Sequence, residues 1–215
     1  MVNDDPAIRK LSLPVVDGPV LEAEVHLPAG ARAAVVLCHP HPQHGGSMRS
    51  IVTSELFRIL PTSRIAVLRF NFRGVEGSTG THDEGRGERL DIETAIDALD
   101  SLVPELPLFV SGWSFGGDTS LTVLDPRIRA WLPCAPPLRI VPLEEISAAA
   151  GADPRPKVLI VGEHDQFRPP NAAREATAGW TETHVVAVPG ADHFFVGRTD
   201  RVAEIVTAAV LRSVT

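Results

Sequence analysis

The chain has 215 residues, 44% hydrophobic and 22% charged, with 27 acidic against 20 basic side chains and a formal net charge of −7. These proportions exclude a disordered or collagen-like polymer, and the length suits one domain, read here as residues 1–215, that buries roughly 70% of its unfolded surface. The mild acidity argues against a nucleic-acid partner, which needs a basic excess.

Cys38 and Cys134 both sit in apolar runs. Two such thiols make no disulfide framework and fit a reducing compartment. The start, Met1-Val2-Asn3-Asp4-Asp5-Pro6, lacks the basic and apolar regions of a signal peptide. No apolar run approaches the ~20 residues of a membrane span. The expectation is a cytoplasmic protein without membrane contact.

Taken in chain order, Val20 to Leu27 alternates apolar and polar residues like a half-buried strand. Ala33 to Cys38 is continuously apolar, as befits a strand covered on both faces. Ser50 to Leu60 places Ile51, Leu56 and Leu60 near one helical face. Ile65 to Phe72 reads as the next strand, and Asn71 to Arg89, rich in Gly, Thr and acids, as a surface loop. Arg89 to Leu102 carries Leu90, Ile92, Ala95, Ile96, Leu99 and Leu102 at helical spacing. Leu106 to Val110 is a strand, followed by a helix over Gly117 to Leu124. Strands follow at Ile128 to Cys134, Val158 to Val161 and Val185 to Val188, with helices at Asn171 to Gly179 and Arg201 to Arg212. Between them, Pro136 to Pro156 holds a short Leu143 to Ala150 helical pattern, long enough for a lid but too short for a domain. Strand and helix alternation predicts an α/β fold with a mostly parallel central sheet flanked by helices.

Gly112-Trp113-Ser114-Phe115-Gly116 matches G-x-S-x-G, in which a sharp strand-to-helix turn exposes a serine. A strand before it and a helix after it supply the context that the pattern requires. A serine hydroxyl is a poor nucleophile until a base adjoins it. Two further segments can provide partners. Gly162-Glu163-His164-Asp165 and Gly190-Ala191-Asp192-His193 each follow a predicted strand, at the carboxyl edge where open α/β sheets bind ligands. The order Ser114, Asp165, His193 is nucleophile, acid, base. Glu163 competes as the acid, and Asp192 ranks below both because adjacent side chains diverge. With His193 as base, hydrolysis should fall once acid protonates it.

Acyl transfer also needs donors for a developing oxyanion. One is the N–H after the nucleophile, that of Phe115. The other should come from the loop after Cys38, His39-Pro40-His41-Pro42-Gln43-His44. Pro40 and Pro42 have no N–H, so His41 is the best candidate and Gln43 the second. Three histidines in six residues invite a zinc reading, but metal sites usually add an acid or cysteine at helical or finger-like spacing, and here prolines interrupt the histidines on a loop. His39 and His44 are read as structural, His26, His82, His164 and His184 as surface residues, and Cys134 as a core thiol. No metal and no cofactor are expected.

Leu37-Cys38-His39-Pro40-His41-Pro42 with Gly45-Gly46-Ser47-Met48, Arg69-Phe70-Asn71-Phe72-Arg73-Gly74-Val75, Gly112 to Gly117, Ala135-Pro136-Pro137 and Pro189 to Phe195 together resemble the motifs of small, lidless bacterial α/β-hydrolases. That group is close to dienelactone-hydrolase-like serine esterases. The resemblance spans Val35 to Thr215. It implies an α/β-hydrolase core with no separate cap domain and carboxylesterase activity on small-molecule esters, with Ser114, Asp165 and His193 at the triad positions. Two departures stand out. Glu76 occupies a position after the FRGV segment that is usually Gly, which would bring a carboxylate toward the site mouth. Ser114 replaces the cysteine of dienelactone hydrolases proper, so their substrate is not implied. Without a cap the site should be open and shallow, favouring short or medium acyl chains. Competing readings are a peptidase, amidase or thioesterase on the same triad, or a non-catalytic ligand-binding protein that kept the fold.

Overall fold

A computed structural model describes residues 8–214. Met1 to Pro6, the segment without a signal-peptide pattern, and Thr215 lie outside the described residues.

The alternating burial of single strands decides the architecture. In β3 (Ala33–Cys38) every residue is buried. Ala33, Val35 and Leu37 face one apolar cluster, and Ala34, Val36 and Cys38 face the other. A strand with two apolar faces must be covered twice, and helices do the covering. On one side, α1 (Ile51–Ile59) and α6 (Thr199–Arg212) insert Val52, Leu56, Phe57, Val202, Val206 and Val210. On the other, α2 (Arg86–Leu102) inserts Ile92, Ala95, Ile96 and Leu99. Each of these Val, Leu, Ile and Phe side chains contributes roughly 1.5–3 kcal/mol on burial.

The sheet has eight strands: β1 (Ile8–Pro14), β2 (Val20–His26), β3, β4 (Ile65–Phe70), β5 (Leu108–Gly112), β6 (Ile128–Trp131), β7 (Lys157–Gly162) and β8 (Thr183–Val188). Their spatial order is β1-β2-β4-β3-β5-β6-β7-β8. β1 pairs antiparallel with β2, and β2 with β4. The remaining neighbours run parallel. The strands after which the sequence places Ser114, Asp165, His193 and the His39–His44 loop therefore all end on one edge.

Seven strands fall where the sequence predicts them, with ends shifted by a few residues. The sequence gives no sign of β1. It is an edge strand in which only Leu13 is fully buried, so its residues show little apolar pattern. The strand expected over Ile128 to Cys134 ends at Trp131 and continues as isolated bridges at Cys134. The helix after the serine motif is α3 (Phe115–Ser120), shorter and earlier than expected. Helix α5 spans Pro170–Ala176.

The expected surface loop from Asn71 to Arg89 is instead half core. Asn71, Phe72, Arg73, Val75 and Ser78 are buried, and α2 already begins at Arg86. Arg73 is drawn inward by Asp91. Its Nε and Nη2 donate to Asp91 Oδ1 at 3.0 and 2.7 Å, and its Nη1 donates to Asp17 Oδ2 at 2.8 Å. A pair of polar residues 18 positions apart leaves no periodic trace in a sequence.

The 136–156 stretch is not a lid. It packs down through α4 (Leu143–Ile146) and the following turn, burying Ile146 and Ala150 in the core. Among the described residues, no separate cap covers the sheet edge. Among the described residues, no helix is long and apolar enough to cross a membrane.

Candidate active site

Ser114 stands between β5 and α3 with φ +55° and ψ −117°. A side chain in that region costs about 1–3 kcal/mol, so the surroundings must enforce it. Gly112 and Gly116 make the turn possible. A Cβ on Gly116 would lie 2.5 Å from the Cys38 carbonyl oxygen, and one on Gly112 would collide with the Gly116 carbonyl. The Ser114 N–H donates to the Cys134 carbonyl at 2.9 Å, which ties the turn to the strand edge beside it.

The loops after β7 and β8 bring two partners to this serine. His193 Nε2 lies 3.0 Å from Ser114 Oγ, and His193 Nδ1 lies 2.9 Å from Asp165 Oδ2. All three residues are at most 9% exposed. Asp165 Oδ1 accepts from the N–H groups of Phe167 (2.8 Å) and Arg168 (3.0 Å), leaving Oδ2 for the imidazole. A carboxylate oxygen accepts, so the ring proton sits on Nδ1 and Nε2 faces the hydroxyl with its lone pair. Trp113 Nε1 donates to the His193 carbonyl at 3.1 Å, and the Phe167 ring stands edge-on 4.5 Å from the imidazole. Both hold the histidine in place.

The competing acids lie elsewhere. Glu163 is exposed and accepts from the Gly190 N–H at 2.8 Å. Asp192 caps its own loop by accepting from the Phe194 N–H at 2.9 Å.

The His39–His44 loop runs beside the serine turn because Gly116 lets it approach. His39 is fully buried. Its Nδ1 donates to the Pro40 carbonyl at 2.6 Å and its Nε2 accepts from the Phe72 N–H at 3.0 Å. Burial holds it neutral, with its pKa lowered to about 4. It staples the loop to the chain after β4. His41 caps a short 3-10 turn (Pro42–His44), with Nδ1 accepting from the Gln43 N–H at 3.2 Å. That bond occupies the Gln43 N–H, the second-choice donor. Among the described residues, no protein group accepts from the N–H of His41 or of Phe115. The His41 and Phe115 rings lie 5.1 Å apart. Burial and the neighbouring His44 and His82 lower the His41 pKa.

Two expectations need correcting. His82 is not a partnerless surface residue: its Nδ1 approaches Glu88 Oε1 to 2.7 Å, and its ring packs on His41 and Phe115. The Asn71 to Arg89 loop folds inward and carries it there. Glu76 does not reach the site mouth. It accepts from Asn71 Nδ2 at 2.9 Å and neighbours Arg49, and it lines no part of the cavity described next. Among the described residues, no group of three His, Cys, Asp or Glu side chains is placed to hold a metal ion.

A cavity of about 750 Å³ opens onto Ser114 and His193. That volume is within the usual range for small-molecule sites. Its walls include Trp113, Ile140, Phe167, Phe194 and Val196. Sequence reasoning passed over most of these, because apolar side chains on loops look like ordinary core.

Asp118, in α3, was also passed over. It is fully buried, and its carboxylate accepts from the N–H groups of Leu138 (2.8 Å), Arg139 (3.0 Å) and Ile140 (3.0 Å). It therefore fixes the loop that forms one cavity wall. Its place four residues after the serine is the one available signal. Burial pushes the carboxyl up to about 6, against the pull of those N–H donors. A folded-state pKa above the unfolded one means that this group's contribution to stability falls as pH rises from about 4 to about 6, by about 3 kcal/mol in all. Asp118→Asn loses an acceptor but cannot ionise. The variant should melt below wild type, by a margin that shrinks between pH 4 and 6.5. Calorimetry across that range checks it, and a margin independent of pH contradicts it.

The eight-stranded sheet, its flanking helices and the uncapped serine turn define the class: this is an α/β-hydrolase fold of the lidless kind. No family model matches the chain. An alpha-beta serine hydrolase homologue from Coxiella burnetii superposes with a TM-score of 0.83, covering 98% of each chain at 27% identity. XC6422 from Xanthomonas campestris, a serine hydrolase of this fold without a lid, gives 0.84 at 27% identity over 95% of this chain and 94% of the other. The uncharacterized protein RP471 of Rickettsia prowazekii is 31% identical over 185 residues, 82% of this chain and 77% of that protein. The chain belongs to the RP471 family.

Proposed function

We propose that this protein is a cytoplasmic, single-domain carboxylesterase, close to dienelactone-hydrolase-like serine esterases, that cleaves small to medium esters through an acyl-enzyme. The observation that carries the reading is the unbroken line Ser114 Oγ, His193 Nε2, His193 Nδ1, Asp165 Oδ2, with contacts of 3.0 and 2.9 Å. Ser114 attacks the ester carbonyl carbon as its proton passes to His193 Nε2. The carbonyl oxygen becomes an oxyanion held by the N–H groups of Phe115 and His41. Collapse breaks the carbon–oxygen bond, and the alkoxide leaves with the proton from His193. Water then attacks the acyl-enzyme by the same relay, releasing the acid and restoring Ser114. Asp165 keeps the ring proton on Nδ1 and stabilises the imidazolium.

The wild-type protein should react stoichiometrically with a fluorophosphonate probe. It should also hydrolyse p-nitrophenyl esters at least roughly a hundredfold faster than matched p-nitroanilides. Comparable rates on both would replace the esterase reading with an amidase one. Tight ligand binding without any labelling would favour a non-catalytic protein.

A further inference from the structure

The cavity above Ser114 is mostly apolar, its polar side chains being Ser50, Ser114, His41, His44, His193 and Arg139. Among its described lining residues, Arg139 is the single side chain with a permanent charge. Its backbone cannot drift. Asp118 accepts from the N–H groups on either side of it and from its own, while Arg168 Nε and Nη2 donate to the carbonyls of Pro137 (2.9 Å) and Leu138 (3.2 Å) just before it. Leu138, just before it, is buried and adopts φ +52°. The guanidinium itself is exposed. No carboxylate of the described residues pairs with it, although the chain carries more acids than bases. Its Cζ lies 5.4 Å from the Phe167 ring centroid, and Phe167 packs 4.5 Å from the His193 ring. A cation is thus mounted on a rigid loop, one aromatic ring beyond the base, over an apolar floor.

We infer that Arg139 is a specificity-determining residue that recognises a carboxylate at the far end of the substrate. The preferred esters are then half-esters of dicarboxylic acids, with the apolar spacer lying along Phe167 and Ile140. This rests on the hydrolase reading for the reaction, but the anion site stands on its own geometry. An arginine fork matches a carboxylate bidentately.

The test compares mono-p-nitrophenyl esters of succinic, glutaric, adipic and pimelic acids with the same esters capped as methyl esters, after correction for spontaneous hydrolysis. Wild type should prefer at least one half-ester over its capped form by roughly tenfold or more in kcat/KM. Arg139→Gln should abolish that preference mainly through KM, and Arg139→Lys should restore part of it. Raising salt to about 0.5 M should compress it. Equal kcat/KM for charged and capped esters in wild type, or a preference that survives Arg139→Gln, overturns the inference. Calorimetric binding of the same half-esters to Ser114→Ala separates the two readings. Binding lost on adding Arg139→Gln supports the anion site even if wild type hydrolyses nothing, and no difference between those variants counts against it.

Discussion

Ser114→Ala should lower ester hydrolysis by at least about 10⁴-fold and abolish fluorophosphonate labelling, with little change in melting temperature. The size follows from the loss of the group that forms the covalent bond, since deleting a serine nucleophile of this kind leaves only the catalysis supplied by binding and oxyanion donors. Stability should hardly move. The hydroxyl makes one contact, to His193, and the backbone strain at φ +55° is the same for alanine as for serine. The measurement is steady-state hydrolysis beside a thermal melt of the same preparation. Retained activity or labelling in a folded variant would remove Ser114 from the reaction, and with it the proposed acyl-enzyme.

Arg73→Met should strongly destabilise the fold. Asp91 is fully buried and accepts from three Arg73 donors, Nε, Nη2 and the backbone N–H, the last at 2.9 Å. Burial already raises the Asp91 pKa, with the arginine pulling the other way. Deleting the guanidinium leaves a buried carboxyl with one backbone donor. The loss should be about 3–5 kcal/mol, because the surviving charge has no compensation. For a chain of this length that lowers the melting temperature by about 10 °C. Part of the loss should return on acidification, as Asp91 takes up a proton, and part in the Arg73→Met/Asp91→Leu double variant, in which neither charge remains. Thermal melts of the single and double variants check both. A single variant within about 1 kcal/mol of wild type would show that Asp91 is neutralised or solvated without Arg73.

Local pattern was enough for the core of this molecule. Runs such as Ala33–Cys38 and the helical stripe Ile92, Ala95, Ile96, Leu99 are set by period, and period survives in a bare sequence because it reflects which faces are hidden from water. The G-x-S-x-G turn was legible for a related reason: glycine is needed wherever backbone approaches backbone, as Gly116 does against the Cys38 carbonyl. Sequence order also placed Ser114, Asp165 and His193 after strands that end on one edge. It left Glu163 open as the acid and Gln43 as the second N–H donor. Only the tertiary structure separates these groups, setting Asp165 rather than Glu163 beside the imidazole and pairing the Gln43 N–H with His41, because each turns on where one side chain or one N–H points within a loop. The same holds for β1, for the buried Arg73–Asp91 pair, for His82 against Glu88, and for Asp118 gripping the loop that carries Arg139. These depend on single polar contacts between distant positions. Such contacts have no period to betray them, and they exist only once the apolar pattern has brought the chain together.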